Sequence, residues 1–220
     1  MVIRRYNSHL MDGSVAEARA ENRTALIWAM DTCFLIDLDE CQSEAVELDR
    51  LDEAGWIDLV RMDVLDTELA RNRDAARLAQ RLVRSATFVE YYGPMVLDYS
   101  RLDHTVRASQ EDVQLLEQVF RILWPKVRMD TANHHQIGDA MHVAWSIRNR
   151  TNGFVTGDKR VLARRAAIEQ LAHDGFRVYS PAEALDRAQR EVRKYEQRMD
   201  RLLPKTMGAK SRSLTPSDGS

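Results

Sequence analysis

The sequence predicts an α/β fold in which a mainly parallel sheet lies between two layers of helices. Short apolar runs alternate with helix-like segments through most of the chain, a pattern that is typical of βαβ units. Crossovers in such units are right-handed, so helices are expected on both faces of the sheet. The 220 residues are 44% hydrophobic and 30% charged, which is enough apolar material for a substantial core.

The candidate strands are short apolar runs, most of which follow a residue that interrupts regular structure. The run at 24–30 is almost continuously apolar, as expected for a strand buried on both faces, and it ends at Asp31. Gly55 precedes the second run and Gly175 precedes the last. The five candidate strands lie at 24–30, 56–60, 95–97, 154–156 and 176–179. The third of them is expected to be a short edge strand.

The candidate helices carry apolar residues three or four positions apart. The clearest pattern places Ala140, Val143 and Ile147 on one helical face, and Pro181 suits the first turn of the last helix. The candidate helices lie at 64–83, 110–124, 136–148, 159–172 and 181–203.

Four segments make up the predicted organisation. A polar N-terminal extension at 1–23 precedes an α/β domain at 24–181. A charged helix at 182–203 follows, in which Arg and Lys alternate with Glu and Asp; this predicts a solvated, salt-bridged face, with a dimer or partner contact as the alternative. The tail at 204–220 is rich in Ser, Gly, Lys and Pro and is expected to be disordered.

The overall charge is close to zero, because 32 Lys and Arg residues face 34 Asp and Glu residues, for a net charge of −2. This argues against a surface that binds polyanions everywhere, while a local basic groove stays compatible with it. Cys33 and Cys41 are too few for a disulfide scaffold. The N-terminus lacks a secretion signal, and no apolar run approaches the roughly 20 residues that span a bilayer. The sequence therefore predicts a cytoplasmic protein without membrane association.

Four carboxylates fall where strands end or where a charge borders an apolar face. Asp31 and Asp158 each end a predicted strand, and the carboxyl ends of parallel strands form the edge at which α/β proteins bind ligands. Glu68 and Asp139 border apolar helix faces, where desolvation of a carboxylate calls for a compensating cation. Because Mg²⁺ and Mn²⁺ prefer hard oxygen ligands, the sequence predicts a divalent metal site formed by these four acids.

Each acid also has a simpler explanation when it is considered alone. Asp31 and Asp158 occupy positions typical of helix N-caps. Glu68 is compatible with a solvated helix residue, and Asp139 with an arginine pair. Along the chain, the four acids lie at a strand end, in a helix, in a second helix and at another strand end. The separate interpretations do not explain why all four follow this order.

Two further clusters are compatible with ligand binding. His135, Asp139 and His142 lie at i, i+4 and i+7 on one helical face, which suits Zn²⁺ or Ni²⁺; packing and hydrogen bonding around the acids is the alternative. Three aromatic residues in the predicted loop are compatible with base stacking or, more simply, with loop and core packing. They are Tyr91, Tyr92 and Tyr99.

Four segments of the chain resemble the sequence motifs of PIN domains. Each combines an acid with an apolar strand or helix start, and the third and fourth segments are the most specific. The segments are 30–37 (MDTCFLID), 64–69 (VLDTEL), 138–144 (GDAMHVA) and 154–162 (FVTGDKRVL). The resemblance covers residues 24–181 and implies the three-layer α/β/α fold of that family, to which a C-terminal helix is added.

The resemblance implies a metal-dependent endoribonuclease that hydrolyses phosphodiester bonds in single-stranded RNA, with Mg²⁺ or Mn²⁺ as cofactor. The residues that match the family's catalytic metal ligands are Asp31, Glu68, Asp139 and Asp158. Asp63 and Asp66 lie close to Glu68, so the sequence leaves open which of the three is the second ligand.

Four other residues take supporting roles in this interpretation. The hydroxyls of Thr32 and Thr156 would help to position the acids. Lys159 and Arg160 follow the fourth acid and would neutralise the phosphates that flank the scissile bond. Ordinary surface charges at a helix start explain these two cations equally well.

Many members of the family are the toxin half of bacterial toxin–antitoxin pairs. The resemblance therefore implies RNA as the substrate, and an antitoxin protein or a second copy of the chain as candidate partners. A catalytically silent module that binds RNA or protein is the alternative, because a fold does not determine a function.

Overall fold

A computed structural model of the chain describes residues 23–70, 75–96 and 106–202. Its strands are β1 (Ile27–Met30), β2 (Asp58–Met62), β3 (Val89–Tyr91), β4 (Gly153–Val155) and β5 (Arg177–Tyr179). They form one sheet in the order β3-β2-β1-β4-β5, and all four neighbouring pairs are parallel. The predicted α/β class with a mainly parallel sheet is therefore confirmed.

The described helices are α1 (Thr32–Asp39), α2 (Ser43–Glu53), α3 (Val64–Ala70), α4 (Ala75–Ser85), α5 (Gln110–Leu123), α6 (His134–Arg148), α7 (Lys159–Ala163), α8 (Arg165–Leu171) and α9 (Pro181–Leu202). The helices predicted at 110–124, 136–148 and 181–203 agree with α5, α6 and α9 to within two residues. The helix predicted at 159–172 is wrong as one element, because Arg164 separates α7 from α8 with non-helical φ and ψ of −106° and 2°.

Two charged residues explain where the strand predictions were wrong. The strand predicted at 56–60 is shifted, since β2 continues through Arg61. β3 is one edge strand of the sheet and β5 is the other. The strand predicted at 95–97 is wrong in its described part, because residues 95 and 96 are not in a strand, and Leu97 lies outside the described residues. Arg61 of β2 and Glu90 of β3 are register partners, and their side chains approach to 3.1 Å. This ion pair allows two charges to be buried in mid-strand, where a search for apolar runs overlooks them.

Alternate residues of the strands contribute to two hydrophobic cores on opposite faces of the sheet. On β1, Ala29 joins one core, whereas Trp28 and Met30 join the other. Residues of α5, α6 and α8 complete the first core, and residues of α1, α2, α3 and α9 complete the second. Helices thus cover both faces, which gives three layers.

The last helix, α9, packs on the second core and is charged on its outer side. Ala184 and Ala188 are fully buried there, and α9 contacts α2 and β5. Arg187 and Glu191 pair at 3.1 Å one turn apart, as expected for a salt-bridged face. The predicted extension, apart from residue 23, and the predicted tail at 204–220 lie outside the described residues. Among the helices of the described ranges, none combines the length and the apolar character needed to cross a membrane.

The strand order reverses between β1 and β4, because β2 and β3 lie on one side of β1 while β4 and β5 lie on the other. The carboxyl ends of these two neighbouring strands, where Met30 pairs with Val155, therefore open a crevice between the connections that follow them. Asp31 comes directly after β1, and Asp158 comes three residues after β4. Topology alone brings the first and fourth predicted acids to the same edge of the sheet.

Candidate functional site

A cavity of about 30 Å³ lies at this edge of the sheet, between the ends of β1 and β4 and the helices α3, α6 and α7. A space of this size suits a small ion or one or two water molecules. Three of the four predicted acids line the cavity, and the fourth, Asp158, lies outside its lining. The polar lining consists of Asp31, Thr32, Cys33, Glu68, Asp139 and His142.

Asp31 is buried, and both of its carboxylate oxygens accept hydrogen bonds. Oδ1 accepts from the backbone N–H of Phe34 at 3.0 Å, so Asp31 caps the N-terminus of α1. Oδ2 accepts from the hydroxyl of Thr156. Burial raises the pKa of the Asp31 carboxyl to about 6, although both hydrogen bonds oppose this shift. The charged form of Asp31 is therefore stabilised by any cation placed nearby.

Thr156 connects the first and the fourth predicted acids. Its fully buried hydroxyl donates to Asp31 and accepts from the backbone N–H of Asp158 at 2.9 Å. Oδ1 of Asp158 accepts from the backbone N–H of Arg160 at 2.6 Å and thereby caps α7. The N-cap interpretation thus applies to one oxygen of Asp31 and one of Asp158. The hydroxyl of Thr156 contacts the carboxylate of Asp31 and the backbone of Asp158.

Asp139 lies within α6, and 28% of its side chain is exposed. Burial raises the pKa of its carboxyl to about 7, and the negative charges of Glu68 and Asp158 add to the shift. Nη1 of Arg160 lies 3.8 Å from Oδ2 of Asp139, which is a long ion pair. The arginine pair that the sequence left open is therefore present, yet the pKa of Asp139 stays well above its usual value.

Glu68 faces the cavity from α3, and one of its oxygens accepts two hydrogen bonds. Oε2 lies 2.5 Å from the hydroxyl of Thr32 and 3.0 Å from Nε2 of His142. Burial works to raise the pKa of the Glu68 carboxyl, but the charge and hydrogen bond of His142, together with Thr32, outweigh it and lower the pKa. Gly138 of α6 packs so closely against Oε1 that a side chain at this position would overlap it.

The direction of the side chains distinguishes Glu68 from its two rivals in the second motif. Oδ1 of Asp66 lies 2.6 Å from Nη1 of Arg61, away from the cavity. Oδ1 of Asp63 accepts from the backbone N–H of Gly93 at 3.1 Å, and this residue does not line the cavity either. Glu68 is therefore the acid of this segment that reaches the cavity.

His142 lines the cavity and hydrogen-bonds Glu68, which is the alternative to metal binding that the sequence left open for it. It is only 1% exposed, and burial works to lower the pKa of its imidazole, but the hydrogen-bonded Glu68 carboxylate outweighs this effect and raises the pKa. Its Nδ1 is buried without a hydrogen-bond partner among the described residues. The spacing that grouped His142 with His135 and Asp139 was the available signal, but the structure leaves His135 exposed.

The other residues considered in the sequence analysis are a lysine, a cysteine and three tyrosines. Lys159 is exposed at the start of α7. Burial and the neighbouring acids raise the pKa of the Cys33 thiol far above its usual range, so this thiol is a poor nucleophile. Tyr91 and Tyr92 are half-buried at the end of β3, and Tyr99 lies outside the described residues.

The cavity has the donor chemistry of a divalent metal site, although its side chains do not enclose an ion in their present positions. Across residues 23–70, 75–96 and 106–202, no group of three or more His, Cys, Asp or Glu side chains is placed so that it could hold a metal ion. Burial nevertheless raises the pKa values of Asp31 and Asp139, a destabilisation that a bound cation removes. Carboxylate oxygens are also the donors that Mg²⁺ and Mn²⁺ prefer.

Comparisons of this chain with protein-family models, with curated proteins and with solved structures found no match. The resemblance of its four motifs to those of PIN domains therefore stays a prediction.

Proposed function

We propose that this chain is a Mg²⁺- or Mn²⁺-dependent endoribonuclease that hydrolyses phosphodiester bonds in single-stranded RNA. The observation that carries the proposal is the convergence of Asp31, Glu68 and Asp139 on one small cavity where the strand order reverses. Asp158 is close enough to raise the pKa of Asp139. Buried negative charge concentrated in this way is destabilising unless a cation compensates it. The α/β fold with helices on both faces agrees with the PIN-like architecture that the motifs imply.

In this proposal the acids hold the ion and the neighbouring hydroxyls orient the acids. Burial disfavours the charged forms of Asp31 and Asp139, which therefore gain most from a cation. Thr156 donates to Asp31 and Thr32 donates to Glu68, so each hydroxyl restricts the rotation of one acid. A divalent ion held here would polarise the scissile phosphate and lower the pKa of an attacking water.

The choice of RNA as the substrate is supported by the resemblance of the four motifs to those of PIN domains. A narrower proposal makes the chain a cytoplasmic toxin that a partner antitoxin neutralises, with a second copy of the chain as a further candidate partner. The toxin role is supported by the same resemblance of the four motifs to those of PIN domains. A small DNA-binding protein encoded just upstream would favour it.

Cleavage of a labelled single-stranded RNA by the purified full chain tests the enzymatic proposal. We expect cleavage with Mn²⁺ or Mg²⁺, none with EDTA, and a rate about 100-fold lower for Asp139→Asn. Asp174→Asn changes an exposed acid outside the site and should cleave at the wild-type rate. Cleavage that persists in EDTA, or cleavage at the wild-type rate by folded Asp139→Asn protein, would contradict the proposal.

A catalytically silent binding module is the second candidate, and one observation favours it. Oε2 of Glu68 already accepts hydrogen bonds from Thr32 and His142, and the described side chains do not enclose an ion. Isothermal titration of the folded chain with Mn²⁺ separates the two candidates. Saturable binding that Asp31→Asn weakens supports the nuclease, and no binding at millimolar Mn²⁺ supports the silent module.

A further inference from the structure

Arg160 lies in an arrangement that a simple phosphate contact does not explain. Its guanidinium carbon is 3.6 Å from the centre of the Trp124 ring, which is a cation–π contact. Its Nη1 is 3.8 Å from Oδ2 of Asp139, so the same group borders the candidate metal site. The Arg160 side chain is 46% exposed. The guanidinium is therefore covered by Trp124 on one side and accessible from solvent elsewhere.

Trp124 is anchored well enough to act as a support for Arg160. It directly follows α5, and its backbone N–H donates to the carbonyl of Phe120 at 2.7 Å. The indole packs against the first hydrophobic core, and its Nε1 is buried without a hydrogen-bond partner among the described residues. The ring thus turns its N–H edge inward and presents a face to Arg160. Pro125 further restricts the backbone of Trp124.

We propose that Trp124 and Arg160 form a stacking platform for one unpaired nucleobase of an RNA bound at the neighbouring acids. This inference rests on the proposed ribonuclease function and adds a base-binding subsite to it. Guanidinium groups are planar and stack on aromatic side chains and on bases alike. Contact with Trp124 on one face and with Asp139 at one edge holds Arg160 in a defined orientation before a base arrives.

Two features favour a base over a phosphate as the partner of Arg160. Nη1 at the edge of the guanidinium already lies 3.8 Å from Oδ2 of Asp139, so the flat face opposite Trp124 is the part that stays available to a ligand. The adjacent Lys159 is exposed and carries the same charge on a flexible stem, which suits a phosphate contact. In this arrangement Arg160 would stack on a base, and Lys159 would contact a phosphate of the RNA backbone.

The test compares two RNA oligonucleotides of equal length and charge, one with ordinary bases and one with abasic riboses. Binding to the full chain is measured by fluorescence anisotropy in EDTA at low salt, so that the RNA stays intact. Arg160→Lys keeps the positive charge and removes the planar group. We expect it to weaken binding of the ordinary RNA about fivefold to tenfold, as for the loss of one stacked base, and to leave binding of the abasic RNA within about twofold.

Lys159→Gln is the matched control on the adjacent residue and should weaken binding of both RNAs equally. Trp124→Leu should reproduce the base-dependent loss, and circular dichroism checks that this variant is folded. Equal weakening of both RNAs by Arg160→Lys, or no weakening of either, would overturn the platform.

Cleavage of the ordinary RNA by the wild-type chain with Mn²⁺ separates this inference from the proposed function. If the wild-type chain cleaves RNA, and Arg160→Lys keeps the wild-type ratio of affinities for ordinary and abasic RNA, the platform is refuted and the proposed nuclease function is not. Base-dependent binding without cleavage supports the platform and refutes the nuclease. If the wild-type chain neither binds nor cleaves RNA, both fail.

Discussion

Asp139 differs from the two strand-end acids because it lies inside a helix. Asp31 and Asp158 accept hydrogen bonds from the backbone N–H groups of the helices that they cap. The described partner of Asp139 is Arg160 at the long distance of 3.8 Å. Its pKa of about 7 exceeds the value of about 6 for Asp31, so ionisation of Asp139 is the less favourable of the two.

Without metal, Asp139→Asn should stabilise the folded chain at neutral pH. The pKa of this carboxyl rises to about 7 on folding, so its contribution to stability is complete below about pH 4 and is lost as the pH rises through 7. Asparagine does not ionise. A shift of about three pKa units corresponds to about 4 kcal/mol, and solvent around the partly exposed side chain reduces this value. The substitution should therefore raise the free energy of unfolding by about 2–4 kcal/mol at pH 8, and by less than about 1 kcal/mol at pH 4. Urea unfolding in EDTA at both pH values measures the difference.

The exposed Asp174→Asn is the control for this experiment and should change the free energy of unfolding by less than about 0.5 kcal/mol. Saturating Mn²⁺ should reverse the order of stability, because the wild-type chain gains binding energy that Asp139→Asn loses. An identical effect of Asp139→Asn at both pH values would show that ionisation of Asp139 does not destabilise the fold.

Gly138→Ala should disturb the site through Glu68 alone. The added methyl group would overlap Oε1 of Glu68 and force the carboxylate to move. We expect the affinity for Mn²⁺, measured by isothermal titration, to fall about tenfold or more. In a Glu68→Ala background the same change should have no further effect, because the clashing group is gone. Unchanged affinity of the single variant would argue against Glu68 as a ligand.

Among the secondary-structure elements, buried ion pairs attach the helices of the site to the edge of the sheet. Arg61 of β2 contacts Asp66 of α3 at 2.6 Å and Glu90 of β3 at 3.1 Å. Arg81 of α4 contacts Asp39 of α1 at 2.7 Å. The contacts of Arg61 hold α3 in a defined position, and α3 carries Glu68 of the site.

Arg61→Met should strongly destabilise the chain, because it leaves Asp66 and Glu90 without the cation that they share. We expect a loss of about 3–5 kcal/mol in the free energy of unfolding, measured with urea at pH 7. Arg50→Met is the matched control, since Arg50 pairs with Glu47 at 3.2 Å on the exposed face of α2. The control should lose less than about 1 kcal/mol. Similar losses in both variants would mean that burial does not distinguish these pairs.

For the whole molecule, the two cores on either side of the sheet make the outer helices part of the same folded unit. Ala184 and Ala188 place α9 directly on the second core, which also contains Trp28 and Met30 of β1. On this face α9 contacts α2 and β5, and it shares the second core with β1, the strand that ends at the site. Close packing there leaves no room for larger side chains.

Ala188→Leu should destabilise the chain because Ala188 is fully buried, and the extra atoms would separate α9 from the sheet. We expect a loss of about 1–3 kcal/mol in the free energy of unfolding. Gln189→Leu adds a similar side chain at the neighbouring exposed position and should stay within about 0.5 kcal/mol of the wild type. Equal stability of the two variants, measured by thermal unfolding, would contradict the described packing of α9.

The elements that could be predicted are those whose local sequence agrees with their environment. β1, β4 and β5 are apolar runs next to residues that break regular structure, and α6 has an apolar face of helical period. The misplaced strands contain Arg61 and Glu90, two charges whose burial depends on their meeting across the sheet. No pattern within either strand shows that the other is present.

By itself, the sequence determined the α/β class, the approximate position of most elements, and the two acids that follow β1 and β4. These properties follow from apolar periods and from residues that break helices and strands, and such signals act over a few neighbouring residues. The tertiary structure decided the strand order, and it selected Glu68 over Asp63 and Asp66.

The tertiary structure also paired His142 with Glu68 and placed Arg160 over Trp124. Each of these two contacts joins residues that are at least 36 positions apart in the sequence. Their contact depends on how strands and helices are arranged in space, and a local pattern contains no information about that arrangement.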